Sequence, residues 1–326
     1  TEKWRERRWR LFSTDPCKET AMDRLVECVP NVSEGQDKAV LALLTERIQS
    51  VPNVALLDLH VDPDHHRSVF TLAGGPEAMA TALFQVIREA QQDIDLRTHH
   101  GQHPRIGAVD VVPWIPLRGV TMEECAGYAK DLGRRVGREL GIPVFLYEQA
   151  AIVPSRARLD VIRRGGLSGL QERMDQEPEW KPDFGPNVLH PTAGAVAIGA
   201  RFFLIAFNVI LKSQDVQVAR RIARTIRSSG GGLPALKAMG VTLSSKGLVQ
   251  VSMNLMDFRQ TSLRGAFYAV ERESHRLGVE IQESEIVGLV PQESWDAALV
   301  ADLQLKSWNP EGVLEVACRK YHLFPL

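Results

Sequence analysis

The sequence predicts an α+β protein of two sandwich-like halves, each containing the order β-α-β-β-α-β. Three observations lead there. The chain has 326 residues, more than one ordinary core holds, so two domains are expected. Apolar periodicity alternates between strand-like and helix-like segments in the same order twice over. A loop-rich stretch over 156–192, carrying Pro178, Pro182 and Pro186, separates the two series and is long enough to suggest a domain crossing.

In the first half, 25–29 reads as a short apolar strand. Residues 36–50 read as a helix, with Val40, Leu43, Leu44 and Ile48 on one face. Strands follow over 54–60 and 68–73, joined by the polar turn VDPDHHR. Gly75-Pro76-Glu77 opens a helix to about residue 94, because proline suits the first helical position. Residues 107–113 form the next strand. Thr121 and Glu124 make a capping-box signature for a helix to about 140, and 143–147 is a further strand. The second half repeats this order: strand 202–208, helix 214–228, a short apolar piece 241–243, strand 248–255, helix 261–277 and strand 286–290. This is the split βαβ order of a ferredoxin-like sandwich. The expected organisation is a disordered leader over 1–24, then subdomains over 25–201 and 202–326.

Composition excludes several classes. Apolar residues make up 44% and charged residues 24%, with a net charge of -1, so no basic field invites nucleic acid or an anionic membrane. No apolar run is long enough to span a bilayer. The basic start TEKWRERRWR lacks the apolar core of a secretory signal. Cys17, Cys28, Cys125 and Cys318 form no CxxC, so reduced thiols in a cytoplasmic protein are expected. There is no GxSxG elbow, no GxxxxGK[ST] and no strand-linked GxGxxG, which disfavours hydrolase and nucleotide folds.

Chemistry concentrates in one place. Six of the nine histidines are His60, His65, His66, His99, His100 and His103. The spacing HHxxH is not the HExxH that sets two ligands one helical turn apart, so a metal-free site is expected. A metal-dependent hydrolase stays as a competing reading. His99 and His100 read as solvated loop residues or as residues that order the loop through backbone hydrogen bonds. His103 differs, because Pro104 holds it extended. Arg105 and Arg118 lie near the two ends of the strand that follows, and arginine forks bind carboxylates well. A proton-transfer imidazole beside anion-holding guanidiniums is the physical picture.

The segments LVECVPNVSEG, GQHPRIGAVDVVPWIPLRGVTMEEC, PVFLYEQAA, PDFGP, FLIAFNVIL and EIVGLVP, in order from Leu25 to about Val290, together resemble the glutamate formimidoyltransferase family. That is the formiminotransferase part of formiminotransferase-cyclodeaminase. The resemblance implies two ferredoxin-like subdomains with a ligand cleft between them, and a homodimer. It implies transfer of the formimino group from N-formimino-L-glutamate to tetrahydrofolate, a co-substrate that can be polyglutamylated, in histidine degradation. The products are 5-formimidoyltetrahydrofolate and L-glutamate. The all-helical cyclodeaminase half is expected to be absent, which makes a separate cyclodeaminase a partner to consider.

The catalytic histidine of the family's G-x-H-P-R stretch matches His103. Its folate-lining segment follows D-F-G-P, here Gly185, Pro186, Asn187, Val188, Leu189, His190, Pro191, Thr192, Ala193 and Gly194. Arg67, Arg105 and Arg118 are the residues offered to substrate carboxylates. His66 stands before Arg67, and His60 stands between Asp58 and Asp62, either of which is offered as the carboxylate partner of His103. Formyl transfer between 5-formyltetrahydrofolate and glutamate, and a folate-binding module without turnover, are the alternatives.

Overall fold

The computed structural model describes residues 23–101, 104–306 and 308–323. The leader up to residue 22, with Cys17, lies outside the described residues, and so does His103. The architecture is mixed α+β with two sheets.

The first sheet has seven strands. The chain enters through β1 (Leu25–Cys28) and β2 (Asn31–Val32), which share one lane between the same two neighbours. Pro30 falls between them because it has no N–H to give to a ladder. Helix α1 (Lys38–Gln49) starts on the Asp37 side chain, which accepts from Ala39 and Val40 N–H. The hairpin of β3 (Val54–Asp62) and β4 (Arg67–Gly74) follows, then α2 (Pro76–Asp93), β5 (Val109–Arg118), α3 (Met122–Leu140) and β6 (Val144–Glu148). Both capping-box bonds of Thr121 and Glu124 are made at the start of α3, and Pro76 sits at the start of α2 as read from the sequence.

The largest departure of the first sheet from the sequence reading comes after β6. The stretch 156–192 contains α4 (Leu159–Ile162) and α5 (Gly166–Gln176), and it leads into a strand, β7 (Val196–Ala200), that periodicity missed. Its sequence, VAIGA, is small and uniformly buried, so it has no alternation to detect. Strand β7 slots between β5 and β6, parallel to both, and moves the expected strand at 202–208 on to β8.

Helices α1, α2 and α3 cover one face of this sheet, burying Leu44, Ile48, Leu83, Ile87, Leu132 and Val136 against Val26, Phe70, Leu72, Trp114 and Val144. The opposite face is covered in part by α4, α5 and Trp180, packed on Phe145 and Tyr147.

The second sheet has four strands in the order β11-β8-β10-β9, all antiparallel. They are β8 (Ile205–Leu211), β9 (Leu236–Leu243), β10 (Leu248–Leu255) and β11 (Ile281–Val287), with α6 (Val216–Ile226) and α7 (Leu263–Arg276) between them. Strand β9 is longer than its apolar end, 241–243, suggested. Strand β11 starts five residues earlier than expected, because IQESEIV pairs through its backbone despite polar side chains. Two short helices, α8 (Leu299–Asp302) and α9 (Leu314–Lys320), close the chain. The latter packs Leu314, Ala317 and Cys318 near Ala73 of the first sheet. Further links between the halves are Ser245 N–H to Asp64 at 2.8 Å and Lys237 to Asp160 at 3.1 Å.

Candidate functional site

The site grows from the β3–β4 hairpin, whose tip is Asp62-Pro63-Asp64-His65-His66-Arg67. His66 turns the chain with φ +49, a left-handed conformation that histidine tolerates better than most residues. The loop 97–106 runs alongside. Its Gly101 passes so close that a Cβ there would meet the His65 carbonyl at 2.3 Å. No larger residue allows that approach.

Two side chains tie hairpin and loop together. The His66 ring lies with Nδ1 3.0 Å from the His100 carbonyl and Nε2 3.0 Å from Glu34 Oε1. Both nitrogens thus lie within hydrogen-bond distance of an oxygen. Its ring stacks on His99, with centroids 4.0 Å apart and planes at 10°. His99 gives Nε2–H to the His66 carbonyl at 3.0 Å, while its Nδ1 is buried without a partner. This is the neutral tautomer. Burial, then the nearby Arg105 and His66 charges, push its pKa down to about 4. His99 therefore orders the loop through the backbone, one of the two roles the sequence allowed.

Glu34 was not singled out from the sequence. Its Oε1 accepts N–H from Gly35, Gln36 and Asp37 at 2.7–2.8 Å as well as facing His66. Burial raises its pKa, but the Asp37 and Gln36 N–H groups and His66 outweigh that and leave it lowered. The signal was present in SEGQD, an acidic residue just before a helix start, where an anion meets open N–H groups.

Arg105 clamps the loop from the other side of His103. It donates to the His99 carbonyl at 2.6 Å and the Gly101 carbonyl at 3.2 Å. Next to it, Ile106 N–H is fixed by Asp110 Oδ1 at 2.9 Å. Asp110 is 1% exposed, and its other oxygen takes Arg67 at 3.3 Å and Arg163 more closely still. Arg67 also donates to Asn31 Oδ1, at 3.0 Å from Nε. Burial and the like charge of Arg163 lower the Arg67 pKa to about 9, against the pull of Asp110. Asp110, Arg163 and Asn31 escaped the sequence reading. A lone aspartate inside the apolar run of β5 was the available hint.

The remaining expected residues divide. Asp62 lies opposite Arg67 across the hairpin and is held by His65, through both its ring Nδ1 and its N–H. Burial raises the Asp62 pKa, but the His65 bonds and the His65 and His60 charges leave it lowered. Asp58 lies four residues back along β3, about 13 Å away at strand spacing. Its pKa is raised by burial, with His60 opposing.

Arg118 is not brought to this end. It is exposed at the far end of β5, eight residues and roughly 26 Å from Asp110, opposite Leu25.

Segment 185–194 runs from the edge of β6 back to the histidine loop. Gly185 and Gly194 have φ +87 and +67. At Gly194 a Cβ would meet the Ile106 carbonyl at 2.3 Å. His190 forms a two-way backbone pair with Gly194 and receives Ala193 N–H on Nδ1 at 3.0 Å. Burial lowers its pKa. Leu189 N–H is held by Gln171 at 2.9 Å, and Thr192 accepts Leu96 N–H at 2.9 Å. Gly185, Pro186, Asn187 and Val188 are exposed. The segment is thus a fixed strap whose end abuts Ile106.

Among the described residues, no group of three or more His, Cys, Asp or Glu is placed to hold a metal ion. No described helix is long and apolar enough to cross a membrane.

Two family models match the chain: the formiminotransferase domain, N-terminal subdomain, over residues 25–201, and the formiminotransferase domain over 206–302. A glutamate formimidoyltransferase from Streptococcus pyogenes serotype M1 is 45% identical over 270 residues, covering 83% of this chain and 90% of the relative. One from Thermoplasma acidophilum is 44% identical over 293 residues, covering 89% and 96%. The formimidoyltransferase-cyclodeaminase of Rattus norvegicus is 44% identical over 276 residues, covering 83% of this chain and 51% of that longer protein.

Proposed function

The chain belongs to the formiminotransferase family, and from that membership we propose that the loop 97–106 and the strap 185–194 form its active site. The reaction is transfer of the formimino group from N-formimino-L-glutamate to tetrahydrofolate, giving 5-formimidoyltetrahydrofolate and L-glutamate. Residues 25–201 and 202–326 act as ferredoxin-like subdomains, and tetrahydrofolate occupies the cleft between them.

The observation that carries the site assignment is the anchoring on both sides of His103. Gly101 is pressed against the hairpin, Arg105 holds two loop carbonyls, and Asp110 holds Ile106. A loop tied down at so many points suits a residue that must meet a reacting atom with little error. His103 is the general acid/base. The formimino carbon is electrophilic once its amidine is protonated. The folate N5 amine attacks it, the C–N5 bond forms, and N5 becomes cationic. His103 takes that proton and returns it to the glutamate nitrogen as the old C–N bond breaks. An imidazole near its ordinary pKa of about 6.5 can serve in both directions.

Arg67, beside Arg163, attracts a substrate carboxylate, and Arg105 positions the loop. Asp62 is the nearer of the two offered carboxylates to the hairpin tip. Arg118 is kept as a contact for the folate tail. The buried thiols Cys28, Cys125 and Cys318 suit a reducing cytoplasm, and a homodimer is the assembly.

The test is an assay of purified protein with both substrates, following 5-formimidoyltetrahydrofolate. Formation of 5-formyltetrahydrofolate from a formyl donor, with no formimino transfer, would replace this reading. Sedimentation as a monomer would remove the dimer.

A further inference from the structure

Strand β10 alternates between two environments. Val249, Val251, Met253 and Leu255 enter the core beneath α6 and α7. Gln250, Ser252 and Asn254 must therefore point to the opposite face of the sheet. Gln250 is 0% exposed, yet neither its amide nitrogen nor its amide oxygen has a hydrogen-bond partner. Its cross-strand neighbours on that face, Ile210 and Val241, are apolar and buried. A buried carboxamide with both ends unpaired is costly and is kept where something else supplies the partners.

The first half meets the second sheet at more than one place. The β9–β10 turn is tied to the β3–β4 turn through Ser245 and Asp64. A Cβ on Gly288, just past β11, would stand 3.4 Å from Thr71 Oγ1, itself buried and unpaired. From the Ser245–Asp64 tie, Gln250 lies five residues along its strand. Val69, on the strand face that also carries His60 and Asn31, lies five residues along the other. Gln250 and Val69 thus stand at similar distances from that tie, and the carboxamide is turned away from α6 and α7.

We propose that Gln250 is a specificity-determining residue that binds the 2-amino-4-oxopyrimidine edge of the tetrahydrofolate pterin. That edge offers a ring N–H beside a carbonyl, and a primary amide pairs with it through one donated and one accepted hydrogen bond. The match is to a neutral planar amide. The charged carboxylates and amidinium of the formimino donor are better met by arginines and acids. The assignment rests on the reading that folate fills the cleft.

Two variants test it. Gln250→Met keeps the length and removes both polar atoms; Gln250→Glu keeps the shape and removes the amide donors. Both should raise the Kd for tetrahydrofolate tenfold to a hundredfold and leave the KM for N-formimino-L-glutamate within about twofold. Gln250→Met should also melt at the same temperature as the parent or higher, since it removes an unpaired buried amide. Unchanged folate affinity in both variants, an equal rise in both substrate constants, or a lower melting temperature for Gln250→Met would each overturn the role. Hydrogen exchange of the parent with folate separates the two readings. Protection over 248–255 with unaltered affinity in the variants removes Gln250 alone. No protection over either 185–194 or 248–255 removes the cleft as well.

Discussion

The imidazoles of His66 and His99 stack face to face, 4.0 Å apart, yet their nitrogens meet different surroundings. His66 is gripped by a carboxylate and a carbonyl, whereas His99 has one buried nitrogen with no partner. One ring ties hairpin to loop through both nitrogens, and the other through Nε2 alone.

Acidification should therefore loosen the loop. Because burial holds the folded pKa of His99 near 4, the unfolded chain binds the extra proton between about 6.5 and about 4. Stability should be whole above about 6.5 and fall as pH drops through that window. At most about 3 kcal/mol is at stake, from about 1.4 kcal/mol per unit. Denaturation of the parent and of His99→Phe across pH 4–7 checks this, and the variant should show a shallower slope. Glu34, with its lowered pKa, adds a loss that begins as pH falls through its ordinary value of 4.5 and continues below it.

Replacement of His103 by alanine should lower kcat by roughly 10²–10⁴-fold with folate binding largely kept. Steady-state turnover beside direct binding of tetrahydrofolate measures both. Parent-like turnover, or abolition of activity by another histidine replacement alone, would move the acid/base role elsewhere.

Asp110→Asn would leave Arg67 and Arg163 sharing a neutral amide in a site 1% exposed. Breaking such a buried pair costs about 3–5 kcal/mol. Urea denaturation should show a loss of that order. Adding Arg163→Gln should recover part of it, because the surplus buried charge goes with the side chain. Additive losses in the double variant would mean that the two residues do not act as a unit.

Tetrahydrofolate should slow hydrogen exchange over 185–194 and over 97–106 together, since Gly194 abuts Ile106. Protection confined to one half, with 185–194 unaffected, would argue against folate lying along the strap.

Chelators should leave turnover unchanged, because the transfer needs only proton movement. Stoichiometric zinc in purified protein, with activity lost to chelator and regained with metal, would contradict this.

Local signals carried much of the description. The capping box at Thr121, Pro76 at the start of α2 and the apolar stripe of α1 were legible because each depends on residues within a turn or two. The family resemblance was legible because its motifs are contiguous strings, and it is what singles out His103 as the candidate acid/base. What the sequence could not decide was which distant residues meet. Glu34 reaches His66 across 32 positions, and Arg163 reaches Asp110 across 53. Strand β7 enters the sheet between two strands that precede it in the chain. Strand register and sheet order set these meetings. They are fixed by burying whole faces at once, and no local pattern of residues encodes them.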